Sequence, residues 1–379
     1  MKPDGRKERN AMRSMTRHAL PVLLLLILLL GSARADKTIL LTFTGDCTLG
    51  SEEKTREEPT SFDSVLAEKG TGWFFEYFRP MFEADDCTVI NLEGVLSDSR
   101  RQENLSKTYR FRGPRSFVSV MSESSVEAVC LANNHAADYG DQGLNSTRET
   151  LEENGIGWFR EENVWFFEKD GIRIAFVALD SRMYYNRSIT LTRLVTSLKA
   201  EGKAQAVAVV YHNGIEYDAK HSGEQERMAQ IYIDAGADLV IMHHPHVLQG
   251  IGILGNRTAC YSLGNFVFGG NSQIRTARDS QGREATSLYT MAVQAEMHFS
   301  DDGRYLGQQL FLYPAWISGE APANNYQPVP VKGSAAEQVM AAVQYDTSFM
   351  LPEISERQGL ACVALPYLPA DCIPDERME

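Results

Sequence analysis

Cysteine is scarce in this sequence, with six residues in 379: Cys47, Cys87, Cys130, Cys260, Cys362 and Cys372. That density excludes a disulfide scaffold, and no Cys-x-x-Cys occurs to hold zinc or run redox exchange. Three of the six end or follow apparent strands, where buried thiols are common; Cys362 and Cys372 could close a small loop near the C-terminus. No His-Glu-x-x-His occurs, which removes the zinc peptidases that use that helix. No apolar run approaches the roughly 20 residues that span a bilayer. Internal repeats and low-complexity tracts are also missing. Positive charge is short, with 37 Lys and Arg against 50 Asp and Glu.

The longest apolar stretch is "ALPVLLLLILLLG", behind Lys2, Arg6, Lys7, Arg9, Arg13 and Arg17 and ahead of Ala33-Arg34-Ala35. Basic start, short apolar run and small-residue cleavage pattern read as a secretory signal peptide over 1–35; an uncleaved membrane anchor is the alternative. Either way the remainder is expected to work outside the cytoplasm, in the periplasm, at the cell surface or beyond. The leader holds seven Lys/Arg and two Asp/Glu, leaving 30 basic and 48 acidic residues and a formal charge of −18 on the exported part. Such a field repels nucleic acid, so no nucleic-acid partner is expected and an anionic substrate must be drawn in locally.

Short apolar segments alternate with amphipathic ones. Residues 38–45, 87–94, 126–134, 172–180, 206–212 and 237–244 each read as a buried strand of an α/β protein. Helical patterns such as "DQGLNSTRETLEENG" and "GEQERMAQIYIDAG" fall between them, each with a Gly at its stop. After residue 246 the style changes to what reads as consecutive antiparallel strands. One mixed sandwich of sheets with helices outside is expected over 36–330, then a last helix and a Pro-rich tail over 331–379.

Five of those strands end in chemistry. The first ends in Gly45-Asp46, the second in Asn91-Leu92-Glu93, the third in Asn133-Asn134-His135 with Asp138 beyond. His212 ends the fifth, in "HNGIEY" with Glu216, and His243-His244-Pro245-His246 ends the sixth. Open α/β sheets place ligands at strand C-termini. Singly each residue also fits a turn, a cap or a satisfied core histidine. Pro245 fixes the backbone between His244 and His246, and alternate positions of an extended segment share a side. Carboxylates, an Asn and imidazoles with almost no thiol suit Mn, Fe or Zn, and a two-metal hydrolytic site. Asn265, in "SLGNFVFGGN", sits where that loop either frames a pocket or makes a tight connection. Asp138 reads as orienting a turn or His135, the turn being favoured.

These residues carry a resemblance. "GDCTLG", "NLEGVLS", "LANNHAADYG", "HNGIEY", "HHPHVLQG" and "YSLGNFVF", in order over residues 38–270, resemble the poly-gamma-glutamate capsule biosynthesis (CapA-type) family of the calcineurin-like metallophosphoesterase superfamily. The resemblance implies a four-layer α-β-β-α sandwich with two mixed β-sheets and two divalent metal ions. Residue by residue it implies Asp46 and His246 on the first ion, Glu93 bridging, and Asn134, His212 and His244 on the second. His135 would protonate a leaving group; Asn133, Asp138, Glu216, His243 and Asn265 would lie around substrate or behind the ligands. The substrate would be a phosphoester or an anionic polymer linkage, with capsule-synthesis membrane proteins as partners. A non-catalytic surface component that keeps the fold is the other expectation. Departures from the pattern are Thr48, where many superfamily enzymes carry His, Met242 for a Gly, Asn213 for a Trp, and no Gly-Ala-Gly stretch before residue 172.

Overall fold

The computed structural model describes residues 36–180 and 184–370; the leader and Cys372, and with them the cleavage site and the Cys362–Cys372 pairing, lie outside the described residues. The chain first lays down β1 (Lys37–Thr48), β2 (Cys87–Leu92), β3 (Ala128–Cys130) and β4 (Gly157–Phe159) side by side and parallel. It then builds a second sheet from β5 (Glu161–Lys169), β6 (Ile172–Asp180), β7 (Ala206–His212), β8 (Leu239–His243), β9 (Ile251–Leu254) and β10 (Arg257–Cys260). Their order across that sheet is β9-β10-β8-β7-β6-β5, parallel in the middle and antiparallel at both edges.

Past residue 246 the expected run of antiparallel strands holds only in part. β10 pairs antiparallel with β9 but parallel with β8, and β11 (Asn265–Phe268) crosses back to lie parallel to β1. The long pair β12 (Tyr289–Phe299) and β13 (Tyr305–Trp316) is antiparallel and flanks β1 in the first sheet. The tail holds a hairpin, β14 (Ile354–Arg357) and β15 (Leu360–Ala364), that extends this sheet past β13.

Strand alternation explains the layering. In β6, Ile172, Ile174, Phe176 and Ala178 face Ile39, Leu41 and Phe43 of β1 in the core between the sheets. Ala175, Val177 and Leu179 face outward and are covered by α3 (Tyr184–Ala200) and α4 (Gly223–Asp234). On the far side, α1 (Phe62–Lys69) and α2 (Gly140–Glu153) pack Phe62, Leu144 and Leu151 onto the first sheet. Each such fully buried side chain contributes about 1.5–3 kcal/mol. The result is helices, sheet, sheet, helices, the four layers expected. Helix α5 (Ser334–Tyr345) closes one end of the intersheet core with Ala336, Val339 and Val343.

Local signals behave as their chemistry requires. Ser222 caps α4 by accepting from Gln225 N at 3.2 Å, while Gln225 Oε1 accepts from Ser222 N at 2.9 Å. This reciprocal cap is worth about 1 kcal/mol. Gln225 also donates to Gln249 Oε1 at 2.8 Å, and the fully buried Gln249 donates to the carbonyls of Asp218 and Lys220 at 2.9 and 3.0 Å. The segment after the histidine cluster is thereby pinned to the loop after β7.

Candidate metal centre

The two sheets bring their parallel C-terminal edges together at one end of the sandwich. β1 delivers Asp46, β2 is followed by Glu93 and β3 by Asn133–His135, while β7 and β8 end in His212 and His243 from the opposite sheet. Close packing makes this convergence possible. A Cβ on Gly45 would lie 2.3 Å from the Gly264 carbonyl oxygen, and Asp46 N donates to that same oxygen at 2.9 Å. Glu93 N donates to the Cys47 carbonyl at 2.8 Å, and Thr48 Oγ1 donates to the Glu93 carbonyl at 2.9 Å. The hydroxyl at position 48 is thus engaged by backbone.

Of the residues singled out from the sequence, Asp46, Glu93, Asn133, His135, Asp138, His212, His243, His246 and Asn265 are buried; Asn134 and His244 are half-buried and Glu216 is exposed. Glu93 is the hub. Its Oε1 lies 3.7 Å from His212 Nε2, 3.9 Å from His135 Nε2 and 4.0 Å from His246 Nε2. Neither of its oxygens has a hydrogen-bond partner. Two clusters whose donor atoms lie within 4.8 Å of one another share it, Glu93–His212–His244 and Asp46–Glu93–His246. A third, Glu216–His244–His246, reaches toward solvent. Asn134 Oδ1 sits 2.9 Å from His212 Nε2.

The backbone of the cluster differs from the extended segment expected. His244 and His246 have φ of 106° and 58°, a left-handed conformation that costs a non-glycine residue about 1–3 kcal/mol. The bend, rather than strand alternation, carries the two rings to the site, with centroids 6.0 Å apart. The loop after β7 holds it: Asn213 N donates to the His243 carbonyl at 2.9 Å and Tyr217 N to the Pro245 carbonyl at 2.8 Å.

Asp138 does more than shape a turn. Its Oδ2 lies 2.6 Å from His135 Nδ1 and accepts from Phe111 N at 2.8 Å, while Lys107 Nζ meets its Oδ1. Asn133 Oδ1 accepts from His135 N at 3.1 Å, and its Nδ2 donates to Asn91 Oδ1 at 3.1 Å. Asn265 Oδ1 is 2.9 Å from His246 Nδ1. Two residues of the site were given no role from the sequence. Asn91, which donates to Asp46 Oδ1 at 2.8 Å, was legible as a polar residue inside the apolar strand "TVINLEG". Lys107 lies in an irregular stretch with no local signal.

The side chains of the pocket leave its charge uncompensated. Burial and then the negative charge of Asp46 push Glu93 well above its ordinary value. Burial also acts to raise Asp46, but the rings of His243 and His246 reverse this and hold it well below the usual carboxylate range. His246 resists its own burial because Glu93 and Asp46 face it, and rises to about 9. Burial, then the charge of His246, lowers His244 to about 4. Burial drives His212 well below its ordinary value and lowers His135 against the pull of Asp138. A buried carboxylate with two orphaned oxygens, ringed by imidazoles too far away to donate, fits divalent cations in its midst. Oxygen and imidazole donors suit Mn, Fe or Zn.

A model of the family described as "Bacterial capsule synthesis protein PGA_cap" matches residues 40–270. The chain is 27% identical over 259 residues to the capsule biosynthesis protein CapA of Bacillus anthracis, covering 62% of this chain and 61% of that protein. It is 28% identical over 253 residues to the PGA biosynthesis protein CapA of Bacillus subtilis (strain 168), covering 62% and 64%. The chain therefore spans less than two thirds of the length of either relative. Among solved structures it is similar to a hypothetical protein from Thermus thermophilus, with a TM-score of 0.44, 16% identity and coverage of 73% of this chain and 99% of that one. It is also similar to the Thermus thermophilus sulfate thiohydrolase SoxB, with a TM-score of 0.39, 14% identity and coverage of 80% and 59%. Both structural likenesses are too distant to bear on chemistry. The family match is of another kind: it takes in more than half of the 379 residues and every strand end that supplies the site, and the chain belongs to the bacterial capsule synthesis protein (PGA_cap) family.

Proposed function

We propose that this chain is an exported, metal-dependent hydrolase of the CapA type that holds two divalent ions and cleaves a phosphoester or a cell-surface polymer linkage in capsule biosynthesis. The observation that carries the reading is Glu93, fully buried, unpartnered at both oxygens and shared by two clusters of candidate ligands. Asp46, Glu93 and His246 would hold one ion; Glu93, Asn134, His212 and His244 the other. Ions held there supply Lewis acidity and a nucleophilic water at neutral pH.

The proton chemistry falls to His135. Asp138 takes up its Nδ1 at 2.6 Å, so Nε2 faces the pocket, 3.9 Å from Glu93 Oε1. Asp138 stabilises the protonated ring, whose Nε2–H is delivered to the departing oxygen; such a step is typically worth about 10²–10⁴-fold. Phe111 packs beside it, with its ring centroid 4.5 Å from that of His135. Tyr109, Glu216, Tyr217 and Arg275 line the small mouth above His135 and His246. Arg275, 4.0 Å over the Tyr217 ring, gives an otherwise acidic chain a positive charge where an anionic substrate enters. Export rests on the leader, which is also the segment that would meet a membrane and its capsule-synthesis partners. Among the described residues no helix is long and apolar enough to cross one.

A second reading, a non-catalytic surface component of polymer assembly or export, is favoured by Thr48, whose hydroxyl is tied to the Glu93 carbonyl. Metal analysis decides between them. The chain, purified without chelator and reloaded with Mn²⁺, is expected to hold close to two ions, lose them in Asp46→Ala and His244→Ala, and hydrolyse a chromogenic phosphodiester. No tightly held metal would leave the non-catalytic reading.

A further inference from the structure

We propose that His243 is itself a metal ligand, on the same ion as Asp46 and His246, and supplies the nitrogen that position 48 does not. This assignment rests on the two-ion reading above and adds a donor that lies outside the clusters already described.

Strand geometry puts His243 there. In β8 the side chains of Leu239 and Ile241 lie in the core between the sheets, while Val240 and Met242 face the outer helices. Period-two alternation sends His243 inward after Ile241. β7 does the same beside it: Ala208 and Val210 point inward, and His212 follows them. The two strands are parallel with His243 directly opposite His212. Two neighbouring strands of the second sheet thus each end by pointing an imidazole at the first sheet.

What His243 meets is Asp46. Its Nδ1 lies 3.1 Å from Asp46 Oδ1, while His246 Nδ1 lies 3.2 Å from Asp46 Oδ2. The ring is 3% exposed, and Nδ1 makes no hydrogen bond despite that contact. A polar nitrogen buried this deeply without a hydrogen bond is costly unless a ligand satisfies it. Oxygen and nitrogen donors bound to one divalent ion at about 2.0–2.2 Å sit roughly 3 Å apart. The spacing from Asp46 and the nitrogen without a hydrogen bond are both those of a ligand. His243 stands outside the clusters whose donor atoms lie within 4.8 Å of one another, so its ring closes onto the ion beside Asp46, Glu93 and His246 when metal binds. Thr48 offers no nitrogen there, and its hydroxyl donates to the Glu93 carbonyl at 2.9 Å.

A role behind the ligands makes a different prediction. If His243 only donated Nδ1–H to orient Asp46, its loss would weaken binding by about 10–100-fold without removing an ion. The test loads the full chain, His243→Ala and His243→Asn with Co²⁺, passes each over a desalting column, and measures cobalt per protein beside the visible absorption. Circular dichroism reports folding. The expected result is two cobalt ions in the unsubstituted chain and one in folded His243→Ala, with loss of part of the d–d absorption. Two ions retained in the folded variants would overturn the assignment of His243 and leave the hydrolase reading standing. No cobalt in the unsubstituted chain would overturn both. Should neither variant fold, proton NMR of the cobalt-loaded unsubstituted chain decides. Exchangeable, hyperfine-shifted imidazole signals from His212, His243, His244 and His246 support the assignment; signals from His212, His244 and His246 alone refute it.

Discussion

Replacing Glu93 by Gln is expected to stabilise the metal-free protein and to abolish its response to metal. The carboxylate is 0% exposed, and both oxygens lack a hydrogen bond. Relieving an unsatisfied buried group of this kind gains about 1–3 kcal/mol. The amide of Gln still buries polar atoms, so the lower half of that range applies. Ligand binding acts in the opposite sense: at a hundredfold excess over Kd each ion stabilises the native state by about 2.7 kcal/mol. At roughly 2 °C per kcal/mol for a domain this large, metal-free Glu93→Gln should melt about 2–4 °C above the metal-free parent. The parent should gain about 5 °C per ion on loading, and the variant nothing. The assay is calorimetric melting with chelator and with Mn²⁺, across pH. Glu93 has a raised folded pKa, so its penalty is absent below its ordinary 4.5 and grows as pH rises above it; the advantage of the variant must grow likewise. His246 has the opposite effect. Its stabilisation is complete below its ordinary 6.5 and is lost as pH rises through about 9, a loss that Glu93→Gln reduces because Glu93 is a main source of the shift. A metal-free variant no more stable than the parent, or one that still gains stability from Mn²⁺, would refute the reasoning.

Two further substitutions separate the chemistry from the scaffold. His135→Ala should keep both ions but lose about 10²–10⁴-fold in phosphodiester hydrolysis, most severely with poor leaving groups; Asp138→Asn should share the loss in kcat with little change in KM, and unchanged rates in either would remove the pair from the mechanism. Gly45→Ala drives a methyl group into the Gly264 carbonyl and should cost roughly 1–3 kcal/mol, the range for overpacking, while loosening the metal that Asp46 is proposed to hold. A variant with native melting temperature and full metal content would show that β1 and β11 separate more easily than their contact indicates.

Much of this protein can be read from the chain alone. β6 and β7 occupy Ile172–Asp180 and Ala206–His212, the same residues as their apolar runs, because buried strands need continuous hydrophobicity on both faces. The strand-end position of Asp46, Glu93, His135, His212 and the histidine cluster is also written in one dimension, since a polar residue that ends an apolar run must emerge at a sheet edge. Only the tertiary structure decides which edges meet. The crossing of β11 back to β1, the left-handed bend at His244 and His246, the grip of Lys107 and Asp138 on His135, and the approach of His243 to Asp46 all join residues far apart in sequence or override local preference. Periodicity reports which face of a strand is buried. It carries no information about the partner across the core, and it is that partner, set by the packing of the two sheets, that turns separate polar strand ends into one site.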